Sequence, residues 1–198
     1  MNSFKIFTIL LFSILISSTW NNAEARLIFR SDTLNVGDEA PQFVMRNLMT
    51  NTAVFLRDFT GKTLREPWKK KERQVVVISF WATWCQPCKN EIPLLTKLAA
   101  QDQDQNVKFF LVNTLEKAES IEDSVHDTYK NRGYTLPCLV DPSGRYANLY
   151  SVHGLPVLVV IDKFGIVRKI NRGYHEDFQN ELEKLIQKLL EEEEPVKK

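Results

Sequence analysis

Residues 79–93 read SFWATWCQPCKNEIP, and this stretch decides the fold. An apolar run from Val75 to Phe80 leads into it, and a helical pattern follows the second cysteine. A hydrophobic strand that ends in Trp-Cys-x-x-Cys is typical of a redox-active cysteine pair. The stretch therefore predicts a buried strand, a dithiol at its end, and a helix that begins at the dithiol.

The spacing of the two cysteines suits thiol–disulfide exchange. Cys85 would lie at the helix N-terminus, where free N–H groups and the helix dipole stabilise a thiolate and lower the thiol pKa. Pro87 suits the first helical turn, where its missing N–H costs little. Cys88 lies one turn further on, close enough to resolve a mixed disulfide. The same geometry predicts a resting disulfide between Cys85 and Cys88.

Two other uses of the cysteine pair are open at this point. A zinc site usually needs four cysteine or histidine ligands, but the third cysteine, Cys138, is far along the chain and a second CxxC is missing. A purely structural disulfide would close a very short loop and therefore stabilise little. Redox chemistry is the favoured interpretation.

Composition limits the class of protein. The chain has 198 residues, 43% of them hydrophobic, which is enough for one globular domain with a core. The net charge is +1, and nucleic-acid-binding motifs are absent from the sequence, so no nucleic-acid partner is expected. Three cysteines are too few for a disulfide framework. We expect no cofactor.

The first 25 residues form a separate segment. Lys5 supplies positive charge, Ile6–Ile16 is largely apolar, and Ala23-Glu24-Ala25 has the small-x-small form of a signal-peptidase site. We predict a secretory signal peptide over residues 1–25, with an uncleaved membrane anchor as the alternative. The apolar core is short for a membrane span. Either interpretation places the domain outside the cytoplasm, in the periplasm if the source is bacterial, where a disulfide persists.

The extended motif from Phe80 to Pro93, FWATWC-x-PC-x-x-E-x-P, resembles the TlpA/ResA-like branch of the thioredoxin superfamily. The opening at Val36–Phe43 resembles both TlpA-like proteins and peroxiredoxins, and Asp58–Lys62 resembles the D-F-x-G-K segment of the branch. The resemblance extends over residues 36–190. It implies an extracytoplasmic thiol–disulfide oxidoreductase with an α/β, thioredoxin-like fold. The peroxiredoxin motif P-x-x-x-T-x-x-C is absent from the sequence.

The predicted fold is a central mixed sheet flanked by helices, with an N-terminal β-hairpin and an inserted strand–helix unit. The strands are predicted at 43–47, 53–56, 75–80, 107–112, 139–140, 157–161 and 166–170, and the helices at 88–100, 119–132, 145–150 and 176–192. The predicted organisation is a signal peptide (1–25), an N-terminal segment (26–35), a thioredoxin-like domain (36–190) and a flexible charged tail (191–198).

An insertion at residues 63–74 departs from the branch. It is strongly basic and contains Trp68. A solvated loop is the favoured interpretation. The alternative is a contact surface for an acidic partner or for lipid headgroups.

The resemblance assigns further site residues. Glu91 matches a glutamate that affects cysteine acidity, and Ser79 stands where thioredoxin has a buried aspartate, so Glu91 is the predicted acid–base residue. Leu155 and Pro156 match the substrate-docking pair, in which the proline is cis and the preceding backbone pairs with a substrate strand. Trp84 is predicted to cover the disulfide and contact substrate.

The remaining candidates are Cys138, Lys89 and His153. Cys138 is predicted to be an inert buried thiol. Lys89 follows the motif, where its charge would either lower a thiol pKa or be solvated. Cys85, Cys88 and His153 together suggest a copper-binding chaperone as the alternative function, although the CxxC spacing disfavours it. We assign no metal ligand in the favoured interpretation.

The favoured function is reduction of client disulfides by the Cys85–Cys88 dithiol. The resemblance implies a disulfide-containing client protein, such as an apocytochrome c or a copper-site protein, and a membrane thiol–disulfide electron donor. Membrane contact through an uncleaved signal or through the 63–74 insertion is a further expectation.

Overall fold

The computed structural model describes residues 33–64, 72–102, 106–117, 121–175 and 177–193. The signal peptide, the centre of the 63–74 insertion with Trp68, and the end of the charged tail lie outside these ranges, as does most of the 26–35 segment. Within the described ranges, none of the helices has the length and apolar character needed to span a bilayer.

Seven strands and four α-helices make up the described fold. The strands are β1 (Val44–Asn47), β2 (Ala53–Phe55), β3 (Val75–Trp81), β4 (Val107–Thr114), β5 (Cys138–Asp141), β6 (Val157–Ile161) and β7 (Val167–Arg172). The helices are α1 (Gln86–Gln101), α2 (Ile121–Arg132), α3 (Arg145–Leu149) and α4 (Phe178–Glu191). These elements include the predicted N-terminal hairpin, β1–β2, and the predicted strand–helix insertion, which lies between β3 and α3.

All seven strands lie in one mixed sheet with the order β2-β1-β5-β4-β3-β6-β7. Strand β3 pairs in parallel with β4 and antiparallel with β6, and β4 pairs in parallel with β5. The outer hairpins, β1–β2 and β6–β7, are antiparallel. Strand β3 therefore lies in the interior of the sheet, where both of its edges are hydrogen-bonded.

The two faces of β3 contribute to two different core clusters. Val75, Val77 and Trp81 pack in a cluster with residues from α1, α2 and α4. The alternate residues of β3, from Val76 to Phe80, pack in a second cluster with the N-terminal segment and α3. All seven residues of β3 are buried, which explains why this strand reads as a continuous apolar run rather than an alternating one.

The observed bounds differ from the predicted ones where local geometry intervenes. Helix α1 begins at Gln86 rather than Cys88, because Cys85 is its N-cap. The second strand ends at Phe55, since Leu56–Asp58 forms a 3-10 turn that sequence periodicity did not predict. Strand β4 extends two residues beyond the predicted Val112, because its polar end residues are also buried.

A close backbone contact ties the D-F-T-G-K segment to the β6–β7 turn. Gly165 has φ of 86°, and a Cβ at this position would lie 2.9 Å from the Cα of Gly61. The Gly61 N–H donates to the Lys163 carbonyl oxygen at 3.3 Å. Only glycine fits at position 165 because of both its left-handed conformation and this contact.

Leu182 and Leu185 of α4 provide a matched test of core packing. Their helical spacing in the sequence predicts that both face the core, but Leu182 is fully buried and Leu185 is half-buried. Leu182→Ala is expected to lower the free energy of unfolding by about 2–5 kcal/mol, because it leaves a cavity. Leu185→Ala is expected to cost clearly less. Urea denaturation measures both, and equal losses would contradict this assignment of the core.

Candidate active site

Three chain segments meet at one end of the sheet. The CxxC motif follows the carboxyl end of β3, residues 115–117 follow the carboxyl end of the parallel strand β4, and Leu155–Pro156 precedes the antiparallel strand β6. The topology thus gathers segments that are far apart in sequence. Sites at the carboxyl ends of parallel strands are the usual arrangement in α/β folds.

Cys85 and Cys88 form a disulfide at the start of α1, with their Cα atoms 5.4 Å apart. Cys85 is the N-cap of the helix, and its Sγ accepts a hydrogen bond from the Cys88 N–H at 3.2 Å. The first turn contains Pro87 and no acidic residue, so no carboxylate there disfavours a thiolate at Cys85. The predicted disulfide and its place at the helix N-terminus are confirmed.

The disulfide is almost fully buried, although the residues next to it in the sequence are exposed to solvent. Cys85 is 2% exposed and Cys88 is fully buried, whereas Trp84, Gln86 and Pro87 are exposed. Any sulfur that reacts with this pair must therefore approach through the Cys85 side. This asymmetry agrees with the predicted order of attack, in which Cys85 is the nucleophile and Cys88 resolves.

Glu91 is fully buried one helical turn after Cys88. Its Oε1 accepts a hydrogen bond of 2.5 Å from Ser79 Oγ, and its Oε2 has no hydrogen-bond partner within the described ranges. Burial raises the pKa of Glu91 from 4.5 to about 7, although the bond from Ser79 lowers it in part. Both protonation states are therefore accessible near neutral pH, as an acid–base group requires.

Ser79 has a more specific position than the sequence suggested. It lies on β3 on the same face as Trp81, opposite Leu111 on β4 and Leu158 on β6. Its hydroxyl is buried and bonds to Glu91. The signal in the sequence was a lone polar residue in a fully apolar strand, which predicts a buried partner but does not identify it.

Glu116 is a site residue that sequence reasoning missed. Its carboxylate accepts hydrogen bonds from the Thr83 N–H at 2.9 Å and the Thr83 Oγ1 at 2.7 Å, and from Asn113 Nδ2 at 2.8 Å. Partial burial raises the pKa of Glu116, but bonds from Asn113, Thr83 and Lys117 outweigh this and lower it. Glu116 thereby fixes the segment after β4 to the loop that carries the cysteines.

The same segment contacts Trp84. The indole Nε1 donates to the Leu115 carbonyl oxygen at 3.0 Å, and Lys117 Nζ lies 4.7 Å from the centre of the indole ring. Trp84 is 46% exposed and Leu115 is 42% exposed. Trp84 thus lies on the surface directly before Cys85, and its contact with substrate stays a prediction. No sequence motif indicated that residues 115–117 would join it.

The peptide bond between Leu155 and Pro156 is cis, which confirms the expectation from the resemblance. Leu155 packs against the core cluster that contains both cysteines. A cavity of about 330 Å³ lies at this turn and is lined by His153, Gly154, Leu155, Pro156, Val157, Arg172 and Gly173. This cavity offers space for a bound chain next to the predicted docking pair.

Cys138 is buried, as predicted, and Trp81 is buried as well. Cys138 is a free thiol, and burial raises its pKa to about 12, with Tyr129 and Trp81 as polar neighbours that lower it in part. Lys89 is half-buried on the first turn of α1.

Three features together define the class of thioredoxin-like proteins. They are the mixed sheet, the CxxC disulfide at the start of α1 and the cis-proline turn before β6. The chain belongs to the AhpC/TSA family, which matches residues 36–170. That match begins at the opening segment already compared with TlpA-like proteins and peroxiredoxins.

The most informative relatives are thiol–disulfide proteins. The chain is 33% identical to thiol-disulfide oxidoreductase ResA of Geobacillus thermodenitrificans (strain NG80-2), over 76% of this chain and 78% of that protein. It is 32% identical to thioredoxin-like protein YneN of Bacillus subtilis (strain 168), over 69% of this chain and 71% of that protein. The resemblance to ResA-like oxidoreductases is thereby confirmed.

A solved structure supports the fold. It is that of a Chlorobium tepidum protein provisionally named thiol:disulfide interchange protein DsbE, with a TM-score of 0.66 and 27% identity. The match covers 80% of this chain and 99% of that chain. The copper-chaperone alternative receives no support from these relatives. Within the described ranges, His153 and the cysteines also do not form a group of three or more ligands suited to a metal ion.

Replacing Glu91 by glutamine is expected to remove a pH dependence of stability. The unfolded chain releases the Glu91 proton near pH 4.5, whereas the folded protein holds it until about pH 7. The free energy of unfolding of the wild type therefore falls as the pH rises between these values. The difference between these two pKa values corresponds to roughly 3 kcal/mol. Relative to the wild type, the free energy of unfolding of Glu91→Gln should therefore rise by about this amount between low and high pH.

Urea unfolding of the oxidised proteins across this pH range measures the effect. Glu39→Gln is the matched control, because Glu39 is an exposed carboxylate paired with Lys62 at 3.3 Å. It is expected to follow the wild-type pH profile. Parallel profiles for Glu91→Gln and the wild type would show that the pKa of Glu91 is not raised.

Proposed function

We propose that the protein is a thiol–disulfide oxidoreductase that reduces disulfides in client proteins. The observation that carries this proposal is the Cys85–Cys88 disulfide at the N-terminus of α1, next to a buried acid–base group and a cis-proline turn. The names of the ResA relatives support the same activity.

The proposed reaction has two exchange steps. The Cys85 thiolate attacks one sulfur of the client disulfide, which forms a Cys85–client mixed disulfide and releases the other client sulfur as a thiolate. Cys88 then loses its proton and attacks the Cys85 sulfur. This step forms the Cys85–Cys88 disulfide and releases the second client thiolate, so two electrons pass from the protein to the client.

We assign Glu91 the transfer of the Cys88 proton. Cys88 is fully buried, so its thiol cannot release a proton directly to solvent. Glu91 lies one turn further on the same helix, its Oε2 is unpaired within the described ranges, and its pKa of about 7 lets it accept and return a proton at neutral pH. The hydrogen bond from Ser79 orients the carboxyl group.

The client is proposed to dock along Leu155 and Pro156. A client segment in extended conformation would pair with the backbone before Pro156, a form of β-augmentation, and lie next to the adjacent 330 Å³ cavity. Trp84 would contact the same segment from the other side of the disulfide. This arrangement holds the client sulfur in line with Cys85.

The wider role follows from the predicted signal peptide at residues 1–25. We propose that the domain works outside the cytoplasm, in the periplasm of a bacterial source, and that a membrane thiol–disulfide protein re-reduces its disulfide after each cycle. A client of the apocytochrome c or copper-site type agrees with the resemblance. The basic 63–74 insertion and an uncleaved signal are candidate points of membrane contact.

A trapping experiment tests the exchange mechanism. Cys88→Ala removes the resolving thiol, so the Cys85–client mixed disulfide should accumulate with an oxidised protein substrate such as insulin. Non-reducing electrophoresis and mass spectrometry detect the adduct, which dithiothreitol should release. Cys138→Ala in the same background should trap equally well, because Cys138 is buried.

The control for this experiment is the Cys85→Ala, Cys88→Ala double variant, which should trap nothing. No adduct with Cys88→Ala, or an equal adduct with the double variant, would contradict the assignment of Cys85 as the nucleophile.

The reduction potential of the Cys85–Cys88 couple tests the direction of electron flow. Equilibration with dithiothreitol or glutathione buffers is expected to give a value near or below about −220 mV, as for a reductant. A value near about −120 mV would indicate an oxidant or isomerase and would contradict the reducing role.

A further inference from the structure

We propose that Leu115 determines client specificity, by forming with Trp84 an apolar platform for a hydrophobic side chain next to the client disulfide. The platform is defined by the exposed side chains of these two residues. The inference rests on the proposed function, because the occupant is the disulfide-bearing segment of a client protein.

The backbone conformation of Leu115 is unfavourable for leucine. Its φ is 54°, in the left-handed region, where glycine is tolerated freely and asparagine more readily than other residues. A branched apolar residue in this region persists where its surroundings impose the conformation, and such residues concentrate at functional sites.

Core packing does not explain this leucine. Leu115 is 42% exposed, so burial of its apolar surface is incomplete and offsets the unfavourable conformation only in part. A glycine would satisfy the turn with less strain, and a polar residue would suit the exposure. Stability alone therefore does not account for leucine here, whereas contact with a partner does.

The platform is held rigidly beside the nucleophile. The Leu115 carbonyl oxygen accepts the indole N–H of Trp84 at 3.0 Å, and the next residue, Glu116, accepts two hydrogen bonds from Thr83. Lys117 lies against the indole ring. These contacts hold Leu115 and the two residues after it, and strand pairing of Thr114 with Asp141 holds the residue before it, so a bound side chain would meet a preformed surface.

The position of the platform selects its occupant. Trp84 directly precedes Cys85, so a client that brings its sulfur to Cys85 places the residues flanking its own cysteine next to Trp84 and Leu115. The platform is therefore continuous with the surface that the exchange reaction uses. Its two exposed side chains are apolar, so an apolar flanking residue gains most from contact. Losing one such contact changes a specificity ratio by roughly tenfold.

Two synthetic peptides with an intramolecular disulfide test this inference. They are identical except that one carries leucine and the other serine beside the cysteine that is attacked. The change in tryptophan fluorescence on oxidation of the reduced protein gives the rate for each peptide. The wild type is expected to react roughly tenfold faster with the leucine peptide.

Leu115→Gly and Leu115→Asn are expected to bring this ratio close to one, since both keep the left-handed conformation and remove the apolar side chain. Their thermal midpoints should be unchanged or higher by about 2–4 °C, because strain is relieved. Asn51→Gly is the matched control. Asn51 has φ of 53° in the β1–β2 turn, away from the site, and its variant should keep the wild-type ratio.

Each outcome decides the inference. Equal wild-type rates with the two peptides, or a wild-type ratio retained in both Leu115 variants, would overturn the platform while leaving the redox function intact. If neither peptide oxidises the reduced wild type, the proposed function fails and the platform fails with it. A lowered ratio in Asn51→Gly would show that a substitution away from the site changes the ratio as well, and would also overturn the inference.

Discussion

Strand β3 is buried along its whole length, so the one hydroxyl that it carries must find its partner inside the protein. That partner is Glu91, which is itself buried on α1. The bond joins the central strand to the helix that the disulfide caps, and it orients a carboxyl group with a pKa near neutrality. The same contact satisfies the buried hydroxyl and orients the carboxyl group that we propose accepts the Cys88 proton.

The rest of the site depends on where β3 ends. Because β4 runs parallel to β3 and β6 runs antiparallel, the segment after β4 and the turn before β6 both arrive at the cysteine pair. One of them supplies Leu115 and Glu116, which hold the loop at Thr83 and Trp84. The other supplies the cis-proline turn. The directions of β4 and β6 thus bring two further chain segments to the cysteine pair, which itself has few polar neighbours.

The strands and helices were largely predictable, because the local pattern of apolar and turn residues indicates them. Val157–Ile161 is a short apolar run between turn residues, and the apolar residues of α4 recur at helical spacing. Cys85 and Cys88 were predictable from spacing, the position of Glu91 from the extended motif, and the cis bond before Pro156 from the wider family resemblance.

Glu116 and the left-handed Leu115 were not predictable, since their roles arise only when parallel pairing brings β4 beside β3. The half-exposure of Leu185 likewise depends on how far the neighbouring elements cover α4, which periodicity does not determine. The Ser79–Glu91 bond is an intermediate case, because the sequence showed two unusual residues but not their contact.

The burial of Cys138 limits which cysteines can take part in thiol–disulfide exchange. Its thiol has a pKa of about 12 and no exposed surface, so it forms almost no thiolate at physiological pH. A third reactive sulfur would divert a mixed disulfide into dead-end pairings within the protein. Because Cys138 is buried, it reacts too slowly to compete in thiol–disulfide exchange. Exchange is therefore confined to the sulfurs of Cys85 and Cys88.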